Sequence, residues 1–159
     1  MVATIGFPRE SAPGERRTLL TPTVAAVLTS AGFAVLTEPG IGADVYLGDS
    51  EIAAAGARFA DPDAVWSAGL VLRYKSPDPA DLYRLRPGQS IAALFHAEGD
   101  PRLLAALTES RVTAYSYELL CEAGRSVGGA ARAGGGRAGG AVRCAGVAGP
   151  GRRPGSRSS

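Results

Sequence analysis

Apolar residues in the first 120 positions recur with two alternating spacings. Short apolar runs predict strands at Val2–Phe7, Phe33–Glu38, Ala57–Phe59, Leu70–Arg73, Ser90–Phe95 and Val112–Ser116. Between them lie segments with helical spacing. Thr21 suits an N-cap and Pro22 the first helical position, where a missing N–H costs nothing. Val24, Val27, Leu28 and Ala31 then follow the i, i+3, i+4, i+7 spacing of one buried face, and Gly32 is placed to end the helix. A short helix is expected over Asp49–Ala55 and a helical turn over Asp63–Ser67. Asp100 and Pro101 open a further helix, with Leu103, Leu104 and Leu107 expected on one face. Strands alternating with helices, and apolar on both sides, predict an α/β fold: a parallel sheet with helices on both faces, Rossmann- or flavodoxin-like.

The periodicity stops near Cys121. Residues 1–120 hold 10 of the 22 glycines, with 14 acidic and 10 basic side chains, a net charge of −4. The last 39 residues hold the other 12 glycines, seven Arg and only Glu122 as an acid, a net charge of +6. The overall +2 is therefore the sum of two unlike segments. A run of Gly, Ala, Arg, Pro and Ser buries too little apolar surface to offset an ordering cost of about 1–2 kcal/mol per residue. The expected organisation is a folded domain over residues 1–122 and a disordered tail over 123–159. The Arg/Gly tail has neither interleaved aromatics nor repeated RGG triplets, so no nucleic-acid partner is expected. No window approaches the ~20 apolar residues of a membrane span, and the N-terminus has no signal-peptide pattern. Together these point to no membrane partner and a cytoplasmic location. Cys121 and Cys144 do not make a disulfide framework, and no Cys/His spacing fits zinc, so no metal is expected.

Candidate chemistry rests on two residue types used once. Lys75 is the only lysine and His96 the only histidine. Each follows an apolar strand, so each should sit just past a C-terminal strand end, where open parallel sheets bind ligands. Arg16 and Arg17 lie in the loop after the first strand and reach the same edge. A guanidinium fork for a carboxylate, a compact ammonium for a carbonyl oxygen and an imidazole for proton transfer together suit a small anionic substrate. Taken singly, each has a plainer reading, as a solvated arginine, a surface lysine or a structural histidine. Gly40-Ile41-Gly42 is read as a turn, since no G-x-G-x-x-G follows it. The acids Asp61, Asp63, Asp78 and Asp81 stand beside prolines and read as helix starts and turns.

The ordered series Ile5-Gly6-Phe7-Pro8-Arg9-Glu10, Glu15-Arg16-Arg17-Thr18-Leu19-Leu20-Thr21-Pro22, Glu38-Pro39-Gly40-Ile41-Gly42, Leu72-Arg73-Tyr74-Lys75-Ser76-Pro77, Leu85-Arg86-Pro87-Gly88-Gln89, Leu94-Phe95-His96 and Ala114-Tyr115-Ser116-Tyr117-Glu118 resembles the opening of alanine dehydrogenases and of the nicotinamide nucleotide transhydrogenase alpha chain. It covers roughly residues 2–122. The resemblance implies that Arg17 and Lys75 bind pyruvate or alanine and that His96 is the acid/base residue in reversible oxidative deamination. The transhydrogenase branch does no amino-acid chemistry and lacks this histidine, so His96 favours the dehydrogenase side. Carboxyethylornithine synthases share a similar opening, and that substrate class stays open.

The resemblance also implies NAD(H) as cofactor and homo-oligomeric full-length relatives. The family's Gly-rich nucleotide domain has no counterpart in this sequence. The chain is therefore expected to be a substrate-binding half, truncated before its cofactor domain and inactive alone, with a reading-frame change near residue 125. The alternatives are one chain of a split enzyme, completed by a nucleotide domain from elsewhere, and a non-enzymatic remnant.

Overall fold

The computed structural model describes residues 3–122 and 125–126. Six strands form one parallel sheet: β1 Thr4–Phe7, β2 Ala34–Thr37, β3 Arg58–Phe59, β4 Leu70–Lys75, β5 Ser90–Leu94 and β6 Thr113–Ser116. Their order across the sheet is β3-β2-β1-β4-β5-β6. This is the doubly wound order, in which the chain reverses direction between β1 and β4 and leaves a crevice at their C-terminal ends.

Each helix starts where side-chain chemistry allows it. In α1 (Pro22–Ser30) the Thr21 hydroxyl accepts from the Val24 N–H, and Gly32 follows the helix at φ +89°. In α2 (Asp49–Ala54) the Glu51 carboxylate reaches back to the Gly48 N–H. The Asp61 carboxylate caps α3 (Pro62–Trp66), and Asp100 accepts from the Arg102 and Leu103 N–H groups at the start of α5 (Pro101–Glu109). A further short helix, α4 (Pro79–Leu82), occupies the stretch where Asp78 and Asp81 beside proline read as a helix start or turn.

Strand alternation divides the core in two, because successive side chains point to opposite sides of a sheet. Val71, Ile91 and Ala93 pack with Trp66, Leu82, Leu103 and Leu107, from α3, α4 and α5. Ile5, Phe7 and Val35 pack with Ala25 and Ile52, from α1 and α2, and Leu70 and Leu72 join this second cluster. The expected parallel sheet with helices on both faces is therefore present. Gln89 is buried at the opposite edge from the crevice, where its amide donates to the carbonyls of Trp66 and Ala68.

Two helix faces differ from expectation. Val27 is 62% exposed and Ala31 is exposed, whereas Ala25 is buried and Val24 and Leu28 are half-buried. The buried stripe of α1 is rotated toward Ala25, whose small side chain lets the helix sit close to the sheet. Leu104 is 55% exposed while Leu103 and Leu107 are buried. Neighbouring positions on a helix are separated by about 100°, so α5 directs only the 103/107 row at the sheet.

Contacts divide the chain after Tyr117. In the second unit, β7 (Cys121–Glu122) pairs antiparallel with β8 (Arg125–Ser126). Of the tail expected over 123–159, these two β8 residues are the only ones described. The expectation for 123–124 and 127–159 lies outside the described residues, as does Val2 of the first predicted strand. Among the described residues, no helix is long and apolar enough to cross a membrane.

Candidate functional site

The loop from Pro8 to Thr21 crosses the C-terminal edge of the sheet and meets the end of β4. Sequence reasoning passed over its key residue, Glu10. One oxygen of the Glu10 carboxylate accepts from the Tyr74 N–H at 2.7 Å; the other accepts from the Lys75 N–H at 3.2 Å and from Arg73 Nη2 at 3.3 Å. The two backbone N–H groups belong to strand residues past the end of the pairing with β1, which stops at Gly6↔Val71. The carboxylate replaces the missing strand.

At the same place β4 is irregular. Leu72 is opposite Ala92, but Lys75 is opposite Leu94, so β4 carries one extra residue. Such a bulge re-aims the side chains that follow it. Lys75 is half-buried, and among the described residues its ammonium has no hydrogen bond or ion pair. His96 lies two residues beyond Leu94, its backbone in the left-handed region at φ +49° and its side chain exposed. A non-glycine residue in that region is uncommon, and such residues cluster at functional sites.

Arg73 anchors the edge from below. It is buried, with Nη1 2.8 Å from Asp81 and Nη2 reaching both Glu10 and the Ser11 hydroxyl, and its guanidinium stands 5.5 Å from the Trp66 ring centre. Its Nε is buried with no hydrogen-bond partner among the described residues. Beside this network lies a cavity of about 250 Å³ lined by Arg9, Glu10, Ser11, Glu38, Asp81 and Arg84. Burial raises the Glu38 carboxyl above its ordinary range, against the opposing charges of Arg9, Arg73 and Arg84. Burial also raises the phenol of Tyr117, with the negative charge of Glu10 adding to it.

The two candidate arginines diverge. Arg16 donates to the Asp44 carbonyl, away toward the 43–45 turn. Arg17 stacks on Tyr74, 4.2 Å from the ring centre, and its Nη1 donates to the Tyr74 hydroxyl at 2.7 Å. Arg17 also holds Glu15 with two parallel bonds of 2.7 and 2.6 Å. That bidentate hydrogen bonding, aided by the Arg17 backbone N–H, lowers the Glu15 carboxyl from 4.5 to about 2. Of the sequence candidates, Arg17 lies on the Tyr74 ring, Lys75 is the next residue of β4 after Tyr74, and His96 follows the neighbouring strand β5 by two residues. The Gly40–Gly42 segment is a turn, tied by the Gly40 N–H to Asp49 at 2.9 Å.

The alanine dehydrogenase/PNT N-terminal domain family model matches residues 6–128. The chain belongs to this family. It is 36% identical over 119 residues to the alanine dehydrogenase of Bacillus subtilis (strain 168), covering 74% of this chain and 32% of that protein. Against the alanine dehydrogenase of Mycobacterium tuberculosis (strain ATCC 25618 / H37Rv) the identity is 35% over 118 residues, covering 73% and 32%. A solved L-alanine dehydrogenase superposes with a TM-score of 0.72 at 28% identity, covering 74% of this chain and 33% of that one. A transhydrogenase from Sinorhizobium meliloti superposes with a TM-score of 0.71 at 25% identity, covering 74% and 36%. The chain spans about a third of the length of the curated relatives it matches. The resemblance drawn from the ordered motifs, and the fold it implies, are borne out.

The described residues do not fit the dinucleotide that the family resemblance implies. A dinucleotide crevice needs a glycine turn leading from β1 directly into a helix whose N-terminus faces the pyrophosphate. Here α1 starts 15 residues after Phe7. Gly6, the glycine at the end of β1, is needed for packing, since a Cβ there would overlap the Val65 carbonyl oxygen. The cavity beside the end of β1 is lined by three acids, Glu10, Glu38 and Asp81, against Arg9 and Arg84, with no run of backbone N–H groups from a helix N-terminus among its lining residues.

Proposed function

We propose that residues 1–122 are the substrate-binding half of an alanine-dehydrogenase-like oxidoreductase, acting on alanine and pyruvate, with NAD(H) held by elements other than those described. The observation that carries this reading is the arrangement at the β1/β4 switch point. Arg17 stacks on Tyr74, Lys75 follows Tyr74 in β4, and Lys75 is opposite Leu94, two residues before His96. Arg17 binds the substrate carboxylate through its guanidinium. Lys75 places a compact positive charge at the carbonyl oxygen of pyruvate, where negative charge develops. His96 takes or returns the proton at the substrate nitrogen or oxygen. Its exposed, left-handed position two residues past β5 puts it at the C-terminal edge of the sheet, the edge where open parallel sheets bind ligands.

On this reading residues 1–122 need a nucleotide-binding domain for turnover. Joined after Glu122 to the nucleotide domain of a related alanine dehydrogenase, it should form NADH from alanine. His96→Ala in that fusion should lower kcat by roughly 10²–10⁴, the usual scale of a lost general acid–base group. Robust NADH formation from alanine by the unmodified chain would overturn the division. An active fusion indifferent to His96→Ala would overturn the site.

A further inference from the structure

A guanidinium has five N–H donors. In Arg17 three are already used: Nε and Nη2 on the two oxygens of Glu15, and Nη1 on the Tyr74 hydroxyl. One N–H remains on Nη1 and one on Nη2. The group is held by an in-plane partner and by a ring 4.2 Å away, yet the Arg17 side chain is still 56% exposed. Glu15 is itself fixed, since it also accepts the Arg17 backbone N–H at 2.9 Å and its side chain is only 6% exposed. An arginine on a loop would otherwise sample many rotamers and offer any anion any pair of its donors.

We propose that Glu15 is a positioning residue, which locks the Arg17 guanidinium so that only its Nη1 and Nη2 donors remain for the carboxylate of a small 2-oxo or 2-amino acid. The inference rests on the reading that Arg17 takes the substrate carboxylate. Two consequences follow. The locked group presents the two donors a single carboxylate requires, with the rotamer entropy already spent during folding. The Glu15–Arg17 pair is also neutral as a unit, which leaves Lys75 as the uncompensated charge. The site therefore selects by donor geometry more than by charge, and discriminates against inorganic phosphate, which an unpaired arginine binds well.

A competing arrangement has the opposite sign. If Glu15 were a plug in the place of the substrate carboxylate, removing it would tighten binding. The ¹⁵N-labelled full chain, titrated with pyruvate and separately with inorganic phosphate and followed by NMR, separates the two. Glu15→Ala should weaken pyruvate by about tenfold, although it makes the site more positive. The Arg17 Nε–H resonance should move, and the ratio of pyruvate to phosphate affinity should fall. Glu15→Gln keeps the volume but turns a donor toward Nη2, and it should weaken pyruvate in the same direction by a smaller factor. Pyruvate binding as tight as or tighter than the parent chain's in a variant that keeps its dispersed backbone spectrum would overturn the positioning role and leave the substrate-half reading intact. No response of the parent chain to tens of millimolar pyruvate would overturn the substrate-half reading itself, and this inference with it.

Discussion

Arg73 and Glu10 meet in the interior at the end of β4, 3.3 Å apart, with their side chains 0% and 7% exposed. A guanidinium so placed is held by its counter-charges, since an isolated buried ion is costly. Asp81 supplies the second of these at 2.8 Å. The pair joins the loop after β1 to the strand that carries Lys75, so the stability of the fold and the shape of the site depend on the same contact.

Arg73→Met should destabilise the domain by about 3–5 kcal/mol, because it strands Glu10 and Asp81 without their partner. Arg84→Met breaks an ion pair with Asp63, whose side chain is 86% exposed, and should cost at most about 1 kcal/mol. Urea unfolding of both variants checks the contrast. Equal costs would show that the Arg73 network is as solvent-screened as the surface pair.

Glu10→Gln retains one carbonyl oxygen where the native carboxylate offers two. It should cost about 2–4 kcal/mol through an unsatisfied strand N–H and a weakened Arg73. Amide exchange at Tyr74 and Lys75 should accelerate more than exchange at Val71. Unchanged protection at 74 and 75 would show that the bulge holds without its carboxylate.

The observed face of α5 predicts very different costs for neighbouring leucines. Leu103→Ala should lose about 2–5 kcal/mol, whereas Leu104→Ala, on the solvent side, should stay within about 0.5 kcal/mol. Thermal or urea unfolding midpoints decide it, and a large loss at Leu104 would mean that the helix turns the other row inward.

Glu38 sets a pH dependence. Its carboxyl is raised chiefly by burial, more than Arg9, Arg73 and Arg84 lower it. The folded state therefore holds that proton more tightly than the unfolded chain. The contribution is fully favourable below the unfolded value and is lost as pH rises through the folded one. Glu38→Gln should raise the unfolding midpoint at pH 7 and make little difference near pH 4. A lower midpoint at pH 7 would mean that the arginines outweigh desolvation.

Much of the fold is local chemistry, and so was legible from the order of residues. Thr21, Asp61 and Asp100 start helices because their side chains bond N–H groups two or three positions on. The apolar runs of β1, β4 and β5 form strands in the middle of the sheet, where helices cover both faces, whereas β6 is an edge strand with Thr113, Ala114 and Tyr115 exposed. Arg17, Lys75 and His96 could be nominated because a strand's end and a residue's rarity are visible along the chain. Other features depended on distance. Glu10 reads as one more loop acid until its carboxylate meets N–H groups 64 and 65 positions away, and Arg73 reads as an interruption of an apolar strand until Asp81 and Glu10 enclose it. The rotation that exposes Val27 and Leu104 depends on how closely each helix approaches the sheet. Spacing specifies which residues share a face of a helix or strand, but which face is buried, and which charge finds its partner, is settled by packing between segments far apart in the chain.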